Sequence, residues 1–206
     1  MILLKDLLLE ISSLNLLIPR RVEGRPEKHV QAIIKRYIKD KNVGDFDISE
    51  LDLTTLPALL KNFKIGGNFK IGGNFLCNDN RLDSLVGVPT SVGLDFNCNN
   101  NKLDSLVGAP TSVGGDFNCY NNKLTSLVGA PVSVGGDFYC NNNLLKSLVG
   151  APTSVGRSFY CSYNKLDSLV GAPTSVGGDF YCRNNAVKFT EEQVRAVCDV
   201  KGNIHV

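Results

Sequence analysis

The sequence predicts a solenoid of the α/β class: stacked 21-residue coils between a helical N-terminal region and a helical C-terminal cap. Three observations predict it. Phenylalanine recurs at Phe75, Phe96, Phe117, Phe138, Phe159 and Phe180, 21 residues apart, and periods of this length mark repeat architectures. Within each unit Phe and Cys alternate with polar residues, as in Asp116–Tyr120 (D-F-N-C-Y), which is the period of a half-buried strand. The flanks, by contrast, carry apolar residues at helical spacing.

The chain opens on Met1–Ile18, a strongly apolar run in which Leu4, Leu7, Leu8, Ile11 and Leu14 lie on one helical face. Lys5, Asp6 and Glu10 interrupt it, so it makes a poor membrane span. It also has neither the basic n-region nor the small-residue cleavage site of an export signal. Pro26 opens a second helix, to Asp40, with Val30, Ile33, Ile34, Tyr37 and Ile38 as its apolar stripe. Residues 19–41 hold eight Lys/Arg against three acids, a local charge of +5. Residues 1–43 are therefore expected as a helical N-terminal region, with pairing of two chains through these helices as an option.

The repeat region is expected over residues 44–189. Gly44–Leu56 aligns with Gly115–Leu127, placing Phe46 in the Phe slot, Ile48 in the Cys slot, Leu53 and Leu56 in the leucine slots, and Leu51 where Asn belongs. Residues 44–61 thus read as a degenerate first coil. The duplicated N-F-K-I-G-G at Asn62–Gly67 and Asn68–Gly73 breaks the register, and an irregular insertion is expected at 61–73. Regular coils fill 74–187. Each offers about five inward apolar side chains, on the order of 10 kcal/mol gross, against about 1–2 kcal/mol for ordering each residue. One coil alone should not fold; its neighbours must cover it. A C-terminal cap is expected over 190–206. Thr190 with Gln193 forms a capping-box pattern for a helix Thr190–Cys198, and Asn203–Val206 offers a last strand.

In full, the columns are F-x-C-x-x-N-x-L-x-x-L. This pattern resembles the leucine-rich repeat signature, with Phe and Cys in the first two apolar slots. The short unit and its L-V-G-A-P turn resemble the bacterial type found in secreted effectors and in phage or prophage proteins. The resemblance implies a parallel sheet on a concave face and an irregular convex side. It also implies an internal ladder of Asn80, Asn101, Asn122, Asn143, Asn164 and Asn185. A buried amide needs both donor and acceptor satisfied, so the ladder has a structural reason of its own.

Six cysteines share one inward column and Cys198 stands apart; no zinc-ligand spacing is present, and reduced buried thiols in an intracellular protein are expected. The localisation expected is cytoplasmic, or host cytoplasm for a phage-encoded chain. A net charge of +2 argues for neither nucleic acid nor membrane. No P-loop, G-x-S-x-G, H-E-x-x-H or C-x-x-C motif occurs, and only His29 and His205 are available as histidine bases. No catalytic residue, metal or cofactor is expected. The ligase activity of repeat-bearing effectors belongs to a domain for which the 17 residues after the repeats leave no room.

What remains is the outward side of the Phe–Cys strand, a face about 29 Å long. Its candidate contact residues are Asp95, Asn97, Asp116, Asn118, Tyr120, Asp137, Tyr139, Tyr160, Tyr163, Asp179, Tyr181 and Arg183. Tyrosine is a common interface anchor. The function expected is a non-enzymatic protein-binding module that occupies or inhibits a host or intracellular protein. Two alternatives stand beside it: carbohydrate or cell-surface attachment, and nucleic-acid association through the basic N-terminal helix.

Overall fold

A computed structural model describes residues 44–56 and 70–206. The expected N-terminal helices, with their pairing and nucleic-acid readings, lie outside these residues, as do 57–61 of the first coil and 61–69 of the insertion. The described chain is a parallel β-solenoid of about six turns. Its strands are two residues long and fall into two sheets. The phenylalanine sheet holds, in order, β1 (Phe46–Asp47), β3 (Phe75–Leu76), β5 (Phe96–Asn97), β7 (Phe117–Asn118), β9 (Phe138–Tyr139), β11 (Phe159–Tyr160), β13 (Phe180–Tyr181) and β15 (Ile204–His205). The serine sheet holds β2 (Lys70–Ile71), β4 (Ser91–Val92), β6 (Ser112–Val113), β8 (Ser133–Val134), β10 (Ser154–Val155), β12 (Ser175–Val176) and β14 (Asp199–Val200).

Register follows from the constant period. Phe117 stands opposite Phe96 on one side and Phe138 on the other. The Phe117 N–H donates to Asp137 O at 2.9 Å and the Cys119 N–H to Tyr139 O at 2.9 Å. Seven phenylalanine rings, Phe46 to Phe180, form one fully buried column with centroids 5.2–5.7 Å apart. Offset aromatic contacts at this spacing add about 0.5–1.5 kcal/mol per pair beyond area burial. Around the ring column pack the Cys column, two Leu columns and the Val column of the serine sheet. The seven cysteines are free and buried, and burial raises the pKa of the column thiols.

Two turns close each coil. After the Phe strand the chain enters the left-handed region at Asp79, Asn100, Asn121, Asn142, Tyr163 and Asn184, with φ between 52° and 57°. Asn and Asp tolerate this conformation because their side chains bond locally. Asn121 Nδ2 donates to Asn100 Oδ1 at 2.8 Å, and Asn142 Nδ2 to Asn121 Oδ1 at 2.8 Å, so the turn carries an outer amide ladder. The inner ladder lies one residue on. Asn122 Nδ2 donates to Cys98 O (3.1 Å), Cys119 O (3.2 Å) and Tyr120 O (3.3 Å), while its Oδ1 accepts the Leu103 N–H (3.0 Å). Each asparagine therefore ties its own coil to the one before.

Four expectations change. The irregular side is a second sheet: once the Phe strands stack in register, the Ser-Val pairs lie at the same rise and complete each other's ladders, as in Ser154 opposite Ser133 and Ser175. The α/β class gives way with it, since the helix found among the described residues is α1 (Glu191–Arg195). The C-terminal end is not a helical cap. The capping box forms, but α1 stops after five residues and the chain returns to strand, adding β14 to one sheet and β15 to the other. Gly202 and Asn203 repeat the turn before Phe180, which favours one more coil over a longer helix. Lastly, Lys70–Gly73 is no insertion: β2 pairs with β4, and Ile71, 2% exposed, fills the Val slot. The first coil is longer, since Phe46 pairs with Phe75 across 29 residues instead of 21.

No helix among the described residues is long and apolar enough to cross a membrane.

Candidate functional site

The outward positions of the phenylalanine sheet form three columns. The first, just before Phe, runs Asp45, Asn74, Asp95, Asp116, Asp137, Ser158, Asp179, Asn203. From Asp45 to Asp179, each of these side chains is spent partly on the fold. Asp95 Oδ1 accepts the Asp116 N–H at 2.8 Å, Asp116 Oδ1 the Asp137 N–H at 2.8 Å, and Asp137 Oδ1 the Ser158 N–H at 2.7 Å. Asp179 Oδ1 accepts the Asn203 N–H at 2.7 Å. Asn74 Oδ1 and Ser158 Oγ do the same task without charge, for Asp95 N–H (2.9 Å) and Asp179 N–H (3.1 Å).

The middle column, just after Phe, runs Asp47, Leu76, Asn97, Asn118, Tyr139, Tyr160, Tyr181, His205. Asn97 and Asn118 accept the N–H two residues on, from Asn99 (3.2 Å) and Tyr120 (3.0 Å). The next four side chains form a half-buried stack. Ring centroids are 4.5 Å apart from Tyr139 to Tyr160 and from Tyr160 to Tyr181, then 4.1 Å from Tyr181 to His205, with planes within 10°. Tyr139 donates its hydroxyl to Asp137 Oδ2 at 3.0 Å and Tyr181 to Asp179 Oδ2 at 3.0 Å; Tyr160 has Ser158 at the matching position. His205 Nε2 lies 3.4 Å from Asp179 Oδ2.

This geometry decides what the rings can offer. Ring lies on ring, so the faces between neighbours are covered, and the edges and hydroxyls are what the stack presents. The Asp179 carboxyl is held below its ordinary range, first by the Asn203 N–H and then by the Tyr181 hydroxyl. The phenol of Tyr139 is pushed above its ordinary range, first by burial and then by its bond to Asp137; Tyr181 is raised chiefly by its bond to Asp179.

The third column holds Asn78, Asn99, Tyr120, Asn141, Ser162 and Arg183. Asn99 Oδ1 and Asn141 Oδ1, on either side of Tyr120, are buried without a hydrogen-bond partner. Arg183 is exposed at the C-terminal end, its N–H donating to Ser162 Oγ at 3.1 Å. Tyr163 stands apart from the stack: it occupies the left-handed turn position and is 61% exposed.

The structure thus gathers Asp137, Tyr139, Tyr160, Asp179 and Tyr181 into one cluster, with the three rings stacked and the outer two hydrogen-bonded to the carboxylates. Asp95, Asn97, Asp116 and Asn118 continue the same columns, and Tyr120 and Arg183 lie alongside. His205 is the cluster member that sequence reasoning missed. Its signal was present: G-N-I-H-V at Gly202–Val206 aligns with G-D-F-Y-C at Gly178–Cys182. Among the described residues, no three or more His, Cys, Asp or Glu side chains converge to hold a metal ion. A scan against protein-family models finds no match, and no curated protein matches the chain.

Proposed function

We propose that this chain is a non-enzymatic protein-binding module, which occupies and so inhibits or recruits another protein through the outward face of the phenylalanine sheet. One observation carries the reading. Tyr139, Tyr160 and Tyr181 replace asparagine in consecutive coils, and they form a single stack on an open sheet face, with Tyr139 and Tyr181 bonded to carboxylates. Half-buried tyrosines already held in place lose little entropy when a partner covers them, which is what interface anchors require. A face several coils long suits a protein surface. Stacking on sugar rings would need open ring faces, and here the faces are turned on one another, so the carbohydrate reading is the weaker one.

The F-x-C-x-x-N-x-L-x-x-L pattern, with the amide of Asn122 bridging two coils, supports the leucine-rich type of repeat; the serine sheet is a departure from the irregular side that type implies. Seven buried free thiols suit a reducing, cytoplasmic setting. By analogy with phage repeat proteins, a host regulatory or defence protein is the target class.

The test is affinity capture from the native cell with wild type and with Tyr139, Tyr160 and Tyr181 changed together to Ala. A partner held by wild type and lost by the variant is the expected result. A folded variant that keeps every partner refutes the reading.

A further inference from the structure

Resting on the binding reading above, we propose that the partner presents a Lys/Arg-rich segment or patch to this face. The face columns hold Asp45, Asp47, Asp95, Asp116, Asp137 and Asp179 against Arg183 alone, six acids to one base, whereas the whole chain carries +2. The outward column of the serine sheet has Lys70 and Asp199 at its ends with serines between, and is neutral. Of the two sheets, the net negative charge thus lies on the one that carries the tyrosine stack.

The fold does not need that charge. The first column serves to cap the N–H of the next coil, and Asn74 and Ser158 show that a neutral side chain caps it equally. Asp95, Asp116 and Asp137 nevertheless place carboxylates on three successive rungs, about 4.8 Å apart. This spacing lies inside the Debye length of about 8 Å at physiological salt, so the three repel one another and act together on an approaching cation. Anchored through Oδ1, they cannot turn aside. Asp95 and Asp116 keep Oδ2 without a partner among the described residues, ready to accept from a guanidinium or ammonium group. The tyrosine edges supply the desolvated anchor, and the carboxylate row supplies steering and orientation.

The experiment uses the full chain and a fluorescein-labelled ten-residue peptide of alternating Lys and Ser, with its Glu–Ser counterpart as control. Binding is followed by anisotropy at 50, 150 and 300 mM NaCl. The basic peptide binds and the acidic one does not, with affinity falling as salt rises. Asp95→Asn with Asp116→Asn keeps both caps and weakens binding about fivefold, while Asn74→Asp strengthens it. Asp83→Asn with Asp104→Asn removes the same charge from the leucine turns of nearby coils and changes affinity less than twofold. Circular dichroism checks that each variant is folded. Equal loss from the two double variants, indifference to peptide charge, or binding that appears only after Arg20, Arg21 and Arg25 are changed to Gln overturns the proposal; the last result makes the chain's own basic segment the occupant. Tyrosine-dependent capture that persists in any of these cases leaves the binding reading standing without its basic partner.

Discussion

Replacing Asn122 with Leu tests the inner amide ladder, because Leu keeps the branching of Asn and removes its hydrogen bonds. The consequences can be followed atom by atom. Cys98 O loses Asn122 Nδ2 but retains Asn101 Nδ2 at 3.1 Å. Cys119 O retains Asn143 Nδ2 at 3.1 Å, and Tyr120 O retains the Asn100 N–H at 3.0 Å. One group is left with nothing: the Leu103 N–H, whose acceptor is Asn122 Oδ1. An orphaned buried donor costs about 1–3 kcal/mol. Weakening of the three shared carbonyls adds to this, and new apolar burial offsets part of it. The expected loss is about 2 kcal/mol. Asn185→Leu is the internal control. It orphans the Leu166 N–H in the same way, but at a half-buried site near the end of the stack, where water can replace the amide. Its expected cost is below about 1 kcal/mol. Urea unfolding followed by far-UV circular dichroism measures both, provided the slope is unchanged. Hydrogen exchange at the Leu103 amide supplies a local readout. An Asn122→Leu midpoint equal to wild type, or equal losses for the two variants, would refute the claim that the ladder is held by amide reciprocity.

Three further predictions follow from the same geometry. Asn122→Asp keeps an acceptor for Leu103 but sets a carboxylate against three carbonyls, so its folded pKa is raised; this variant gains stability as pH falls, since the protonated acid donates, and urea midpoints that decline alongside wild type on acidification would contradict this. The buried thiols have folded pKa values raised above 9, with Cys182 and Cys198 pushed up to about 11, so their contribution is complete below pH 9 and is lost as pH rises above it, by about 1.4 kcal/mol per unit per thiol; midpoints should hold from pH 8 to 9 and drop steeply from about pH 9 to 11, iodoacetamide should reach Cys182 and Cys198 before Cys119, and a flat profile would be the contrary result. A Cβ at Gly135 would press on the Gly114 carbonyl oxygen, which is backbone and cannot swing aside, so Gly135→Ala should cost about 1–3 kcal/mol, and a variant as stable as wild type would mean the coils can separate freely at that turn.

Much of this molecule is legible in its residues. A strict 21-residue spacing means that whatever one coil does the next must do directly above it, so the columns follow from repetition and the inward side of Phe and Cys from alternation, while the inward placing of Asn122 is what the resemblance to leucine-rich repeats implies. The degenerate first coil is readable for the same reason: Phe46 and Ile48 are buried beside Phe75 and Cys77 although the intervening chain is longer. Other features depend on what stacking does to segments with no pattern of their own. Ser-Val is too short to show a strand period, and it becomes a sheet because its copies are carried into register by the Phe strands. The duplicated N-F-K-I-G-G offers two equivalent alignments, and only the pairing of Ile71 with Val92 chooses between them. His205 shares no identity with the tyrosines it joins; the ladder beneath it sets its ring on Tyr181. Residue order alone carries the period, the Phe and Cys columns and the acidic and aromatic character of the outward face. Tertiary structure decided that the tyrosine rings turn their faces to one another and their edges to solvent, because a rise of about 4.8 Å per coil leaves a planar side chain no room between its neighbours except flat upon them.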